Sequence, residues 1–276
     1  MEKLIRADSS IRSPQATTPE RAQRLGSELT RQEAGPLAGT LQFIRYGFMP
    51  NRLSYCGPVG DNRTLFEYGI AGFTDGGLTP LLRQFTGALP YLQLIARANG
   101  IQDPFNARVV EAYWLGNELL EGVEVRQLHD ALLERFGKQL QGRTRDLVLG
   151  KAPAGAHPHH SFHVLDVHSR VGEMAATLQT LDLCRVSWGK VTRIEAADVL
   201  VDRQPLVLRQ GKLVLGDAQP ERLARQVDGR GFADAAQPGD WVSVHWGWVC
   251  EVLTDRQRTN LDRYTRHHLA IANQTI

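Results

Sequence analysis

The chain has 276 residues, of which 42% are hydrophobic and 22% charged, with a formal net charge of +2. That balance excludes a disordered polymer, and it lacks the strong basic bias by which nucleic-acid binders neutralise phosphate. No apolar run approaches the roughly 18 residues needed to cross a bilayer, and the first residues lack an apolar signal core. Three scattered cysteines, Cys56, Cys184 and Cys250, form no CxxC pair. Reduced thiols, a cytoplasmic location, and no membrane or nucleic-acid partner are the expectation.

Residues 1–36 are polar and predict a partly disordered lead-in with one short helix at "PERAQRLGSELTRQE". Residues 37–150 read as a helical domain. Leu37, Leu41 and Ile44 share one helical face, and that helix is expected to stop at Pro50. Thr79-Pro80 and Asp103-Pro104 are helix openings, the second leading to Val110, Trp114 and Asn117 on one face. Leu128, Leu132 and Phe136 recur four apart and end near Gly137. Residues 151–183 form a connecting segment rich in histidine, in which the alternation of "SFHVLDVH" predicts a strand.

From residue 184 to 276 the pattern is short valine- and leucine-rich runs: "RVSWGKVTRI", "DVLVDR", "PLVLRQ", "KLVLGD" and "DWVSVHWGWVCEVL". A helix opened by Thr254-Asp255 closes the chain. The expected class is α+β, a helical N-terminal domain followed by a small OB-like β-barrel with a C-terminal helix.

Cys184 precedes "WGKVTRIE" (188–195), "VLVD" (199–202), "PGDWVSVHWGW" (238–248), Glu251 and a helix. In order and spacing this tail resembles the HypC/HupF family of NiFe-hydrogenase maturation chaperones. Two departures stand out. Cys184 is internal, whereas the family's cysteine follows the initiator methionine, and Trp246 and Trp248 replace smaller residues around the glycine. The resemblance implies that Cys184 holds iron, or the Fe(CN)2CO unit, with His245 close by. It also implies a HypD-like scaffold and the hydrogenase large-subunit precursor as partners.

Thiolate is the natural protein donor to low-spin iron. A second candidate is "HPHHSFHVLDVH", which holds five of the nine histidines. On an extended segment His157, His159 and His163 face one side, and His160, Asp166 and His168 the other. Such a set suits iron, zinc or nickel, with further ligands drawn from Glu67, Glu111 or Glu118. The loop "FMPNRLSYCGPVGDN" (48–62) displays Tyr55 and Cys56 as additional donors. Cys250 alternates away from His245 and reads as core, while His267 and His268 read as surface residues near a helix end.

The leading expectation is a maturation factor that binds iron or Fe(CN)2CO and assists its assembly or delivery. A helical domain that forms the carbon monoxide ligand would make the chain an enzyme. The alternatives are an unrelated non-haem metal enzyme using the histidine block, and a metal-free interaction module binding partners through Trp246 and Trp248.

Overall fold

The first helix, α1 (Gly39–Arg52), buries Leu41, Phe43, Ile44, Tyr46 and Phe48, which point in several directions around its axis. A helix apolar on most sides belongs in the middle of a protein. The computed structural model describes residues 38–138, 140–171 and 177–276, so the expected lead-in of residues 1–36 lies outside the described residues. Phe43 meets Phe85, Phe105 and Trp114 edge-on, and Tyr46 stacks on Trp114 at 5.2 Å. Phe48 reaches the other way, to Phe66, Phe232 and Trp248.

The expected stop at Pro50 does not occur. Asn51 and Arg52 continue the helix, and the Leu53 N–H donates to the Met49 carbonyl at 3.0 Å. Proline removes only its own N–H, whose α-helical acceptor would be the Tyr46 carbonyl. Near a helix end that single missing bond is tolerated, and the carbonyl becomes free for another donor.

The chain continues through α2 (Asn62–Ala71), α3 (Leu78–Leu82), α4 (Leu89–Ala98), α5 (Ala107–Trp114), α6 (Val125–Phe136) and α7 (Gly142–Leu149), of which α2, α3 and α5 pack on α1. Leu128, Leu132 and Phe136 are the buried stripe of α6, as their spacing predicts.

"SFHVLDVH" is not a strand. A short α8 (His160–Phe162) runs into a π-helical turn at His163–His168 and then α9 (Ser169–Val171). Phe162, Val164, Leu165 and Val167 are all buried. The segment buries polar Ser161 and Asp166 along with its apolar residues, so no amphipathic helical stripe shows in the sequence. His159 starts the helix, its Nδ1 accepting the Ser161 N–H at 3.1 Å. Lys151 Nζ lies 2.9 Å from Asp166 Oδ1 and donates to the Ile271 carbonyl and Thr275 Oγ1. That buried pair ties the π-turn to the chain end.

After α10 (Leu178–Cys184) come β1 (Ser187–Glu195), β2 (Asp198–Arg203), β3 (Leu206–Arg209), β4 (Lys212–Leu215), β5 (Gln219–Ala224), β6 (Trp241–His245) and β7 (Trp248–Val252). Five strands form one mixed sheet in the order β1-β2-β5-β7-β6, and β6 pairs back antiparallel on β1. The β5–β7 link is a single parallel bridge, Ala224 to Trp248. β3 and β4 form a separate two-stranded hairpin. Val191, Val199, Val201, Leu223, Val242, Val244 and Val249 fill the interior of the five-stranded unit. The last helix, α11 (Asp255–Ala272), opens on a capping box between Thr254 and Gln257. Among the described residues no helix is long and apolar enough to cross a membrane.

Candidate metal centre

Three remote segments bring one donor each to a single place. His160 stands at the start of α8, Cys184 ends α10, and His245 ends β6. Their donor atoms lie within 4.8 Å of one another.

Each donor is aimed by a neighbour. The His245 Nδ1–H donates to the Tyr46 carbonyl at 2.7 Å, the same carbonyl that Pro50 leaves without its helical N–H. His245 Nε2 is therefore deprotonated, and it is buried with no hydrogen-bond partner. The His160 Nε2–H donates to the Cys184 carbonyl at 2.8 Å, because a carbonyl can only accept. His160 Nδ1 is then the acceptor of the Tyr113 hydroxyl, at 3.1 Å. Such outer bonds fix a ligand's tautomer and ring plane.

Cys184 is held from the β6–β7 turn. Trp246 and Gly247 both have positive φ, +55° and +71°. That is the primed hairpin turn, which ordinarily takes Asn-Gly. A tryptophan forced into it stores local strain, as functional sites often do. The Trp246 N–H donates to the Leu183 carbonyl at 2.9 Å, and its side chain hydrogen-bonds the Cys184 thiol. Trp114 walls the pocket, with ring centroids 4.6 Å from His160 and 5.6 Å from His245. Behind it the Tyr46 hydroxyl donates to Glu251 at 2.6 Å, and Gln42 donates to the same carboxylate at 3.1 Å.

Burial sets the protonation states. It holds His160 well below the ordinary histidine range, with the His245 and His163 rings adding to the effect. His245 is lowered to about 4, also by burial. Burial pushes the Cys184 thiol up to about 12, with Cys56 adding and the Trp246 bond opposing. Glu251 is raised by burial despite its partners. The pocket thus holds two neutral imidazoles and a thiol without a positive side chain among the donors. A set of two ring nitrogens and one sulfur suits zinc, iron, nickel or copper rather than oxygen-seeking cations.

The other expected donors lie elsewhere. The His157 N–H donates to His268 Nε2, and its Nδ1–H donates to the Leu120 carbonyl. His159 Nδ1 and His268 Nδ1 share the Ser161 hydroxyl at 2.8 and 2.7 Å. His268 is fully buried, correcting the surface reading, and the His267 Nε2–H donates to the Gly155 carbonyl. His163 Nδ1 lies 3.3 Å from the Tyr91 hydroxyl, and the His168 ring is 6.0 Å from that of His163. Asp166 is engaged by Lys151 and Arg170. Glu67, Glu111 and Glu118 pair with Arg230, Arg256 and Arg108. Trp248 and Cys250 are core residues at 0% exposure, and Trp246 is 7% exposed, so neither tryptophan offers an open docking patch. Tyr55 and Cys56 lie on an exposed loop beside the centre. Tyr46, Pro50, Tyr113 and Trp114 were not among the expected site residues. Only the proline inside a helical pattern was a usable signal.

The fold and centre define an α+β protein with a buried two-histidine, one-cysteine donor cluster. The chain belongs to DUF6390, a family of unknown function, whose sequence model matches residues 35–276. That match corrects the HypC/HupF resemblance: residues 184–276 belong to this family and no HypC/HupF family matches them. Gly-Lys-Val and Pro-Gly-Asp are turn and strand elements that many short-stranded proteins use, and here Cys184 ends a helix instead of beginning a chain. No curated protein and no solved structure matches the chain.

Proposed function

We propose that the chain is a metal-handling protein that binds a soft or borderline transition ion, iron foremost, through His160, Cys184 and His245. The observation that carries this reading is the 4.8 Å cluster of His160, Cys184 and His245, together with a buried His245 Nε2 that has no hydrogen-bond partner. A buried acceptor left bare costs free energy, and a bound cation removes that cost. The cysteine also suits low-spin iron bearing cyanide and carbon monoxide, so assembly or delivery of an Fe(CN)2CO unit is the iron chemistry we propose first. Zinc or nickel held by the same three donors is the alternative. Three free thiols fit a reducing, cytoplasmic setting. The ring of strand pairings supports reading the β-unit as a small barrel of OB-like kind.

Metal analysis and infrared spectroscopy of protein purified without oxygen test the proposal. About one equivalent of iron is expected in the wild type, and none in Cys184→Ser or His245→Ala. Cyanide and carbon monoxide bands would mark the diatomic-ligand unit as cargo. Equal metal content in all three proteins would overturn the site, and zinc or nickel in place of iron would overturn the iron reading.

A further inference from the structure

Four imidazoles follow one another from the buried centre toward the surface. The His245 and His160 rings lie 5.0 Å apart, those of His160 and His163 6.3 Å, and those of His163 and His168 6.0 Å. His245 and His160 are buried, whereas His163 and His168 are half-buried. The outer pair depends on the π-turn. Residues five apart diverge by about 140° on an α-helix, but i→i+5 hydrogen bonding returns them toward one face. Each outer ring also keeps a nitrogen clear. His168 Nε2 is buried with no hydrogen-bond partner. His163 Nδ1 faces the Tyr91 hydroxyl at 3.3 Å. Its Nε2 has no partner among the described residues and lies beside Gly87, where an added Cβ would stand 3.9 Å away. Tyr91 stacks on Tyr113, the residue that bonds His160, so two successive imidazoles share one aromatic brace. Asp166, between the outer histidines in sequence, is held by Lys151 and Arg170.

We infer that His163 and His168 form an outer metal station through which a borderline divalent ion, such as zinc, cobalt(II) or iron(II), reaches His160, Cys184 and His245. This rests on the metal reading above. Bonds of about 2.0–2.1 Å from two ring nitrogens to one ion, with the ring radii added, span roughly the separation of the outer pair. Two imidazoles leave the remaining positions to water, so the ion is held loosely and exchanges. The Arg135 guanidinium, 5.3 Å from the centre of the Tyr91 ring, brings a positive charge to this side and weakens cation binding further. A station that held its ion tightly would trap it, whereas a loose one passes it on. His160 is the next ring inward. Each step exchanges one ring nitrogen or water on the ion for another. The thiol proton of Cys184 leaves to solvent as the metal–sulfur bond forms, and no oxidation state changes.

Stopped-flow mixing of the full chain with dilute cobalt(II) under argon tests the route, because the thiolate-to-cobalt charge-transfer band in the near ultraviolet reports arrival at Cys184. An ion held one ring away is at an effective concentration on the order of millimolar, far above that in solution. Loading is therefore expected to slow by roughly tenfold or more in His163→Gln and in His168→Gln, with the final band height unchanged. Glutamine keeps a polar side chain of similar reach, and circular dichroism checks the fold of each variant. His129→Gln, which changes a partly exposed ring paired with Asp130, is expected to load like the wild type. Equal rates in the wild type and both variants would overturn the station and leave the metal reading standing. A lower final band in a folded His163→Gln or His168→Gln would also overturn it, since those rings would then hold the centre instead of supplying it. Absence of any band in the wild type would overturn the centre and the route together.

Discussion

Two histidines away from the centre make the fold acid-sensitive in a way that one substitution can isolate. His159 and His268 are fully buried and share the Ser161 hydroxyl. Burial, with neighbouring imidazoles adding, lowers His159 to about 3 and His268 well below the ordinary range. A histidine whose native proton affinity is depressed contributes no penalty above the unfolded value, near pH 6.5. Below it the unfolded chain takes up a proton that the native state refuses, so stability falls. Between pH 6.5 and 5.5 each such group costs about 1 kcal/mol, so this pair costs roughly 2 kcal/mol. Glu251 and Asp166, raised by burial, bind protons in the native state and act in the opposite direction. They are common to any His268 variant and cancel in the comparison. His268→Gln keeps an acceptor for the His157 N–H and a donor for Ser161, but it cannot be protonated. Urea midpoints of chelator-treated protein between pH 7.5 and 5.5 should therefore fall less steeply in His268→Gln, by about one proton's worth. Equal slopes would refute a neutral, buried His268.

Other substitutions probe the supports separately. Lys151→Met leaves the buried Asp166 with Arg170 as its remaining ion partner and should destabilise the protein in chemical denaturation, by less than the roughly 3–5 kcal/mol of a wholly unpaired buried charge, with Asp166→Leu restoring part of it. Gly116→Ala places a Cβ 2.1 Å from Tyr264 Cδ2 at a φ of +88°, so a large drop in melting temperature or loss of soluble protein is expected. Pro50→Ala returns an N–H that competes for the Tyr46 carbonyl and loosens His245. Metal affinity in a chelator competition should fall roughly tenfold, while the melting temperature stays close to that of the wild type.

Local rules make the helices, caps and short strands readable. The Thr254–Gln257 box and the Leu128, Leu132, Phe136 stripe are written within a few residues of one another. The centre is written across the chain, and only part of it can be reached from sequence. Cys184 and His245 are linked there only through a resemblance that the family match does not support. What joins them is the β6–β7 turn, whose Trp246 N–H holds the Leu183 carbonyl. His160 is a candidate by residue type but falls on the wrong face, because it begins a buried helix where the alternation suggests a strand. Tyr46 and Gln42 with Glu251, or Lys151 with the chain end, are partners more than one hundred residues apart, a distance that periodicity does not cross. Pro50 breaks a helix rule, and the structure puts that break at the carbonyl that orients a donor.

The same burial that hides the centre also selects what it can hold. With its thiol pushed up to about 12, Cys184 is protonated at neutral pH, so a cation must displace a proton from a desolvated pocket. Only an ion that bonds strongly to sulfur repays that cost. Magnesium and calcium prefer oxygen, keep their water, and find no carboxylate among the three donors. Zinc, cobalt(II) and iron(II) bond thiolate and imidazole together. An ion bound only by the folded chain stabilises it by about 2.7 kcal/mol at a hundredfold excess over its dissociation constant. Thermal unfolding of chelator-treated protein should therefore shift upward with zinc or cobalt(II) and stay unchanged with magnesium or calcium. Cys184→Ser and His245→Ala should abolish the shift. An equal upward shift with calcium would mean that surface carboxylates, not the buried donors, hold the ion, because nothing in the His160–Cys184–His245 pocket favours a hard cation over water.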